Sequence, residues 1–377
     1  QLKSSNNSLL IIILILYFFK YLISAYIPFG EYFYLFPIII YICSNIITRY
    51  YDKVTIYLLI FNILFIFLFA ISLINDVNVK IASIGLLNYT LTLNFWILYL
   101  KNNLSSFNRI RNLLYSFIYL ISLAGIVQYF IDPKIFGLIN YSIFSDEKNL
   151  QNIVFSKRAI SIIKSPQTLG FVLSFYILYS KKKKLMLINY ITGVLTFTKS
   201  FFLSILLDYF LRFRIKYIGL ILALTSLFLW VIYRLQEISG ISRLYNFIFH
   251  FEFNSQVDRI DRWNYYLNML DSPSKLAFGN GLGIASRANG LILSNPLDYS
   301  SESFLIQIFS EAGLLGLLLF VLPFILLLLK DKKQRSKIIV LFILMFLSPA
   351  FYGFSVSFLI YPLILIPFFL NYREYWG

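Results

Sequence analysis

Apolar runs, many close to the length of a bilayer crossing, follow one another from end to end of this chain, separated by short basic or polar stretches. A hydrocarbon core about 30 Å thick is crossed by roughly 20 residues of α-helix. Backbone groups inside it find no water, so the helix, which satisfies them internally, is the form such runs take. The hydropathy pattern places about twelve segments, at 8–29, 31–48, 54–74, 80–100, 111–131, 166–180, 185–198, 200–211, 216–233, 303–329, 337–353 and 355–371. The chain is therefore expected to be an all-α polytopic membrane protein, one membrane domain over residues 1–377. The composition agrees, since 59% hydrophobic residues against 13% charged ones leave too little polar surface for a soluble domain of this size. The first run, Leu9 to Tyr26, exceeds the apolar core of a signal peptide and has no small-residue cleavage site, so it is expected to stay as the first helix.

The runs at 185–198 and 200–211 are too short to cross alone. They are expected to be partial helices that meet inside the membrane at Thr198-Lys199-Ser200.

Cations set the orientation. The net charge of +16 could mark a nucleic-acid binder. The basic residues, however, form short clusters between apolar runs, at Arg49–Lys53, Lys101–Arg111, Lys181–Lys184, Arg212–Lys216 and Lys330–Lys337. With a cytoplasmic N-terminus all of them fall on the inner side, as the positive-inside rule requires, and so does the C-terminal tail. No nucleic-acid partner is expected; the lipid bilayer is. Two long loops fall outside, 132–165 and 234–302, and the second is expected to carry surface helices that cap a cavity.

The outer side collects the residues that could carry chemistry. In the first loop Lys157, Arg158 and Lys164 precede Pro166, which suits the first turn of a helix. Cations and free backbone N–H groups converging there would cradle a phosphate; otherwise they neutralise Asp146 and Glu147 or touch headgroups. Lys199 lies between two apolar half-helices, where a lysine needs a partner or a cavity unless it snorkels. Lys20, late in the first helix, is read as snorkelling.

In the large loop, Arg259 and Arg262 stand three residues apart on one helical face. Their forks match phosphate oxygens, although Asp258 or Asp261 could pair with them. That helix is expected to have Ile260, Trp263, Leu267 and Leu270 on its apolar stripe, with Arg259, Arg262 and Tyr266 on the other side. Arg243, His250 and Arg287 are secondary candidates in the same loop. The run Gly279-Asn280-Gly281-Leu282-Gly283 has no strand–helix context for a dinucleotide and reads as a tight turn.

Glu302 opens the apolar helix after that loop. It is either a cap that favours the helix dipole or a general base that takes a proton from an attacking hydroxyl. Glu311, deeper in the same helix, is either paired within the bundle or part of the site. One cysteine, Cys43, and one histidine exclude a disulfide and zinc motifs of the Cys- and His-rich kinds. There is no Walker A sequence and no paired-aspartate motif of metal-dependent nucleotide-sugar transferases, so neither metal nor cofactor is expected.

Taken together these motifs resemble the O-antigen polymerase and ligase superfamily, the Wzy and WaaL membrane glycosyltransferases, over roughly residues 150 to 330. Lys157-Arg158-Ala159 through Ser165-Pro166-Gln167-Thr168-Leu169-Gly170 is similar to the family's arginine and Pro-Asn helix start, with Gln167 where Asn is common. Thr196 to Ser200 resembles its Thr-x-Ser-Arg element, with Lys199 near the basic position. Arg259 to Gly283 resembles the arginine, Trp and closing Gly-x-Gly of its large external loop, and Ser301 to Leu317 its final motif helix.

The resemblance implies a GT-C-like bundle with a lid-like external loop, acting without metal on undecaprenyl-diphosphate-linked glycans at the outer face of a bacterial cytoplasmic membrane. Ligases carry a histidine where this chain has Glu302, which tilts the expectation toward a polymerase of lipid-linked repeat units, such as those of O-antigen or a capsule. Donor and acceptor would both be undecaprenyl-diphosphate-linked glycans, and a chain-length-regulating co-polymerase is a further implied partner. The alternatives are a ligase delivering finished glycan to lipid A core or another acceptor, and, from another class, a transporter or flippase of lipid-linked sugars. A flippase needs polar residues along a whole pathway, whereas here they concentrate on the outer side.

Overall fold

A computed structural model describes residues 2–27, 30–48, 53–130, 159, 161–163, 166–179, 183–196, 198, 201–205, 226–227, 230–231, 233–234, 254–285, 303–330, 335–347 and 357–366. Among these residues every regular element is helical and no strand occurs. Among the described residues four helices are long and apolar enough to cross a membrane, with spans at Ile56–Ile74, Val79–Asn102, Phe107–Phe130 and Phe304–Leu322. Shorter apolar helices occur at Ser8–Phe18, Leu35–Asn45, Thr168–Leu178 and Ser357–Ile366. The chain forms two compact units, one of residues 1–37 and 108–253, the other of 38–107 and 254–377.

The first unit contains α1 (Leu2–Phe18), α2 (Lys20–Tyr26), α6 (Phe107–Phe130) from its second residue on, α7 (Pro166–Tyr179) and α8 (Lys183–Leu195). The expected single helix at 8–29 is broken at Phe19, whose ψ of 7° leaves the helical region. The break turns Lys20 inward. Its side chain is 2% exposed and its Nζ lies 4.2 Å from the ring centroid of Tyr17, with Tyr34 at 6.0 Å. Lys20 therefore does not snorkel. Aromatic faces and further contacts of the ammonium replace the water it gives up.

The second unit contains α3 (Leu35–Thr48) beyond its first turn, α4 (Lys53–Ile74), α5 (Val79–Asn102), α9 (Asn254–Asn268), α10 (Pro273–Phe278), α11 (Phe304–Lys330), α12 (Arg335–Leu347) and α13 (Ser357–Ile366). In α4 the positions Leu58, Phe61, Phe65, Leu68 and Ser72 are buried at helical spacing, while Leu59, Ile60, Ile63, Ile66 and Phe67 are exposed. An apolar face on each side of a helix is what a bilayer solvates.

The polar residues of α5 knit the unit together. Asn94 and Asn62 exchange amide hydrogen bonds of 2.7 and 3.1 Å, and Thr92 bonds Ser357 at 2.8 Å. Trp96 donates to the Phe358 carbonyl at 2.8 Å. Each pairing removes a polar group from hydrocarbon, where it would otherwise cost several kcal/mol.

The predicted boundaries of the segments at 54–74, 80–100, 111–131 and 166–180 agree with the helices to within a few residues. Most of the segments at 200–211 and 216–233 lies outside the described residues.

Candidate functional site

The break in α11 is the feature on which the second unit turns. Gly313 adopts φ 64° and ψ −164°, which divides α11 into two halves. Such dihedrals are essentially confined to glycine. A helix that stops within a hydrophobic span leaves carbonyls without partners. Here the run after α10 supplies them: Asn280 N–H donates to the Ser310 carbonyl at 2.8 Å and Gly281 N–H to that of Glu311 at 3.1 Å. Gly279, with φ 82°, lets the chain pass so close to Glu311 and Ala312 that no Cβ fits.

The Gly279–Gly283 run, expected as a tight turn, is a turning inset of backbone that is buried. Asn280 is 6% and Leu282 0% exposed, and the Leu282 amide is taken by Ser72 Oγ at 2.8 Å. The sequence signal was the glycine spacing itself: three glycines in five residues permit close backbone approach as readily as a turn.

Glu311 closes this inset. Its side chain is fully buried. One carboxylate oxygen accepts the Ala285 amide at 3.1 Å and Gln307 Nε2 at 3.0 Å, and the other accepts the Tyr89 hydroxyl at 2.9 Å. The Gly283 amide is a further donor. Glu311 is thus paired within the bundle through both of its oxygens.

The start of α11 is capped by Ser303, whose Oγ faces the Ile306 amide at 3.4 Å and whose carbonyl accepts the Gln307 amide at 3.0 Å. The cap position is thus held by the residue after Glu302. Glu302 itself lies outside the described residues.

On α9 the face observed differs from the one expected. Tyr266 and Leu270 are buried at 4% and 8%, Arg262, Trp263 and Leu267 are half-buried, and Ile260 is 51% exposed. The helix is rotated so that Arg262 and Tyr266 share the inward face and Ile260 leaves it. The reason is packing: the Trp263 ring lies 4.8 Å from that of Phe346 near the end of α12, and α9 also packs on α11. Arg262 has interactions of its own, while its Nε is buried with no hydrogen-bond acceptor among the described residues. Arg259 stands one turn earlier on the same helix. Its side chain, with those of Arg243, His250 and Arg287, is outside the described residues. Exposed Asp271, before α10, accepts from Lys275 Nζ at 2.9 Å, and this hydrogen bond holds its carboxyl below the usual range.

In the first unit a polar frame forms around the motifs that flank the other cations. α7 begins at Pro166, as expected. Ala159 N–H donates to the Leu195 carbonyl at 2.9 Å. Ser161, at φ 49°, is held by its amide on Gln128 Oε1 at 2.7 Å and its hydroxyl on the Ile121 carbonyl at 2.6 Å. A left-handed serine persists only where neighbours over-determine it.

α8 stops at Leu195 and residues 201–205 are again helical, with the non-helical Thr198 between them. Thr196 and Thr198 are buried, 3.0 Å apart through their hydroxyls, and pack on Gly170 of α7. Ser122 and Thr192 complete the frame, the first bonded to Asn189 at 2.8 Å and the second to the Ser122 carbonyl at 3.0 Å. Arg158, Lys164 and Lys199 lie outside the described residues. Ala159, Ile163 and Thr198, their sequence neighbours, are all buried in this unit.

Among the described residues no three His, Cys, Asp or Glu side chains gather as a metal cage. No protein-family model, curated protein or solved structure matches the chain. What can be assigned to it rests on its own residues.

Proposed function

We propose that this protein is a polymerase of undecaprenyl-diphosphate-linked oligosaccharide repeat units, working at the outer face of a bacterial cytoplasmic membrane with both termini inside and about twelve crossings. The growing glycan leaves its lipid diphosphate and is joined to a sugar hydroxyl of the next lipid-linked unit. The hydroxyl oxygen attacks the anomeric carbon, the bond from that carbon to the diphosphate breaks, and the proton passes to Glu302 as general base. Arg262 and Arg259 are the candidates to stabilise the charge that grows on the departing diphosphate, and Arg158, Lys164 and Lys199 are proposed separately as diphosphate-binding cations. Neither metal nor nucleotide takes part.

The observation that most supports this reading is the half-buried Arg262 on the packed side of a helix seated against α11, which begins at Phe304, two residues after Glu302. A half-buried arginine whose Nε is buried beside the packed face suits a fixed anion contact better than a solvated charge. That Ser303 holds the cap position of α11 supports a chemical rather than a capping role for Glu302.

The test is direct. Purified protein in lipid vesicles receives a defined undecaprenyl-diphosphate oligosaccharide, and products are resolved by size. The polymerase reading expects a ladder of successive repeat units. A single transfer to an added core acceptor would mark a ligase, and substrate carried unchanged across the bilayer a flippase.

A further inference from the structure

We infer that Glu311 is a positioning residue: it latches the Gly279–Ala285 inset into the break of α11 and so fixes the helices that carry the transfer site. This rests on the polymerase reading for its consequence, while the latch itself rests on geometry alone.

The geometry has three parts. The inset begins directly after α10 and brings backbone amides, with the Asn280 side-chain amide beside them, to the groups freed at the break. Two of those amides, on Asn280 and Gly281, donate to α11 carbonyls. The far end of the inset, where Gly283 and Ala285 present their N–H groups, is held by the Glu311 carboxylate. Tyr89 of α5 and Gln307 of α11 hold that carboxylate in turn, so one side chain ties α5, α11 and the external segment together.

The inset is also the chain's route from α9 and α10 back toward α11. Phe278 meets Phe67 of α4 at 5.7 Å between ring centroids, and Ala277 packs against Gly313. If the far end of the inset is released, α10 loses its seat at the break, and α9 with Arg262 moves with it. Glu311 touches neither substrate nor reacting atoms in this account. It acts through the backbone it holds.

A hydrogen-bond latch and a chemical carboxylate respond differently to Glu311→Gln. Glutamine keeps an acceptor oxygen for the Ala285 amide, and the Tyr89 hydroxyl accepts as well as donates, so it can receive the new amide N–H. Alanine removes every acceptor and leaves buried N–H groups unpaired.

The experiment uses the full-length protein in detergent with Cys43→Ser, because Cys43 is exposed, and Ala285→Cys as a buried reporter. A water-soluble maleimide then reads opening of the inset, whichever side of a membrane it would face. The latch expects slow labelling with Glu311 and with Glu311→Gln, the two within about threefold. Glu311→Ala should label about tenfold faster or more, the factor carried by an unsatisfied buried group. Should Glu311→Ala fail to accumulate, Tyr89→Phe removes one donor and is expected to raise labelling about fivefold.

Elongation, measured without the reporter, should be lost with alanine and kept with glutamine. Unchanged labelling in Glu311→Ala overturns the latch. Loss of elongation in Glu311→Gln with the inset still closed overturns positioning in favour of a chemical role. Opening without loss of elongation overturns the link to transfer. If the wild-type protein makes no ladder, the polymerase reading fails, and labelling alone still decides the latch.

Discussion

Gly313→Ala strikes the break in α11 with a single methyl group. At φ 64° and ψ −164° an alanine is in a region essentially reserved for glycine, with a strain of about 1–3 kcal/mol. The added Cβ also sits 2.5 Å from the Ala277 carbonyl carbon and oxygen and from the Phe278 nitrogen. These are backbone atoms of a short helix and cannot swing aside. Overpacking of this kind adds about 1–3 kcal/mol. The two effects together disfavour the seated inset by about 2–6 kcal/mol. Alanine is also the best helix former, so the competing state, a continuous α11 with the inset expelled, gains what the observed state loses.

Access to the Ala285→Cys reporter should therefore rise about 30-fold or more, the factor that corresponds to about 2 kcal/mol. The control is Leu314→Ala next door, where the side chain is 50% exposed and its loss opens no cavity. Its effect should stay within about 1 kcal/mol. Equal labelling in the two variants would show that the break does not hold the inset.

Three further outcomes are expected. Glu302→Gln keeps size and hydrogen bonding but cannot take a proton, so single-turnover transfer should fall about 10²–10⁴-fold while donor binding survives; a fall below about threefold would remove Glu302 from the chemistry. Arg262→Ala should abolish elongation at unchanged protein level, and Arg262→Lys should restore it only in part because an ammonium cannot reproduce the bidentate fork; a normal ladder in both would make Arg262 a packing residue. In a Cys43→Ser background, an impermeant thiol reagent applied to intact cells should label a cysteine placed at Asp271, which is exposed and precedes α10, but not one placed at Gln334; the reverse result would invert the proposed topology.

The helical class and most helix positions were legible because a hydrophobic span is written in composition and length. Lys20 was misread because hydropathy sees a lysine near the end of an apolar run but not the break at Phe19 that turns it inward. The face of α9 was misread for a related reason: periodicity ranks residues by polarity, whereas the packing of Trp263 on Phe346 decided the rotation and carried Arg262 inward with Tyr266.

Glu311 had a legible signal, a carboxylate in an apolar helix. Its partners are backbone amides supplied by the Gly279–Ala285 inset, and no sequence pattern announces which amides will arrive. The frame of Ser161, Thr196 and Thr198 was half-legible. The polar residues interrupting the apolar runs were visible, but their convergence with Ala159 and Gly170 is tertiary.

The most direct test of polymerisation is to count leaving groups. Vesicles containing the protein and a lipid-linked repeat unit are sampled over time, and free undecaprenyl diphosphate is measured against the glycosidic bonds formed. Glycan transfer from the lipid diphosphate predicts one free undecaprenyl diphosphate for each bond, accumulating in step with a lengthening ladder. Recovery of the lipid-linked unit intact, with no diphosphate released, would contradict it.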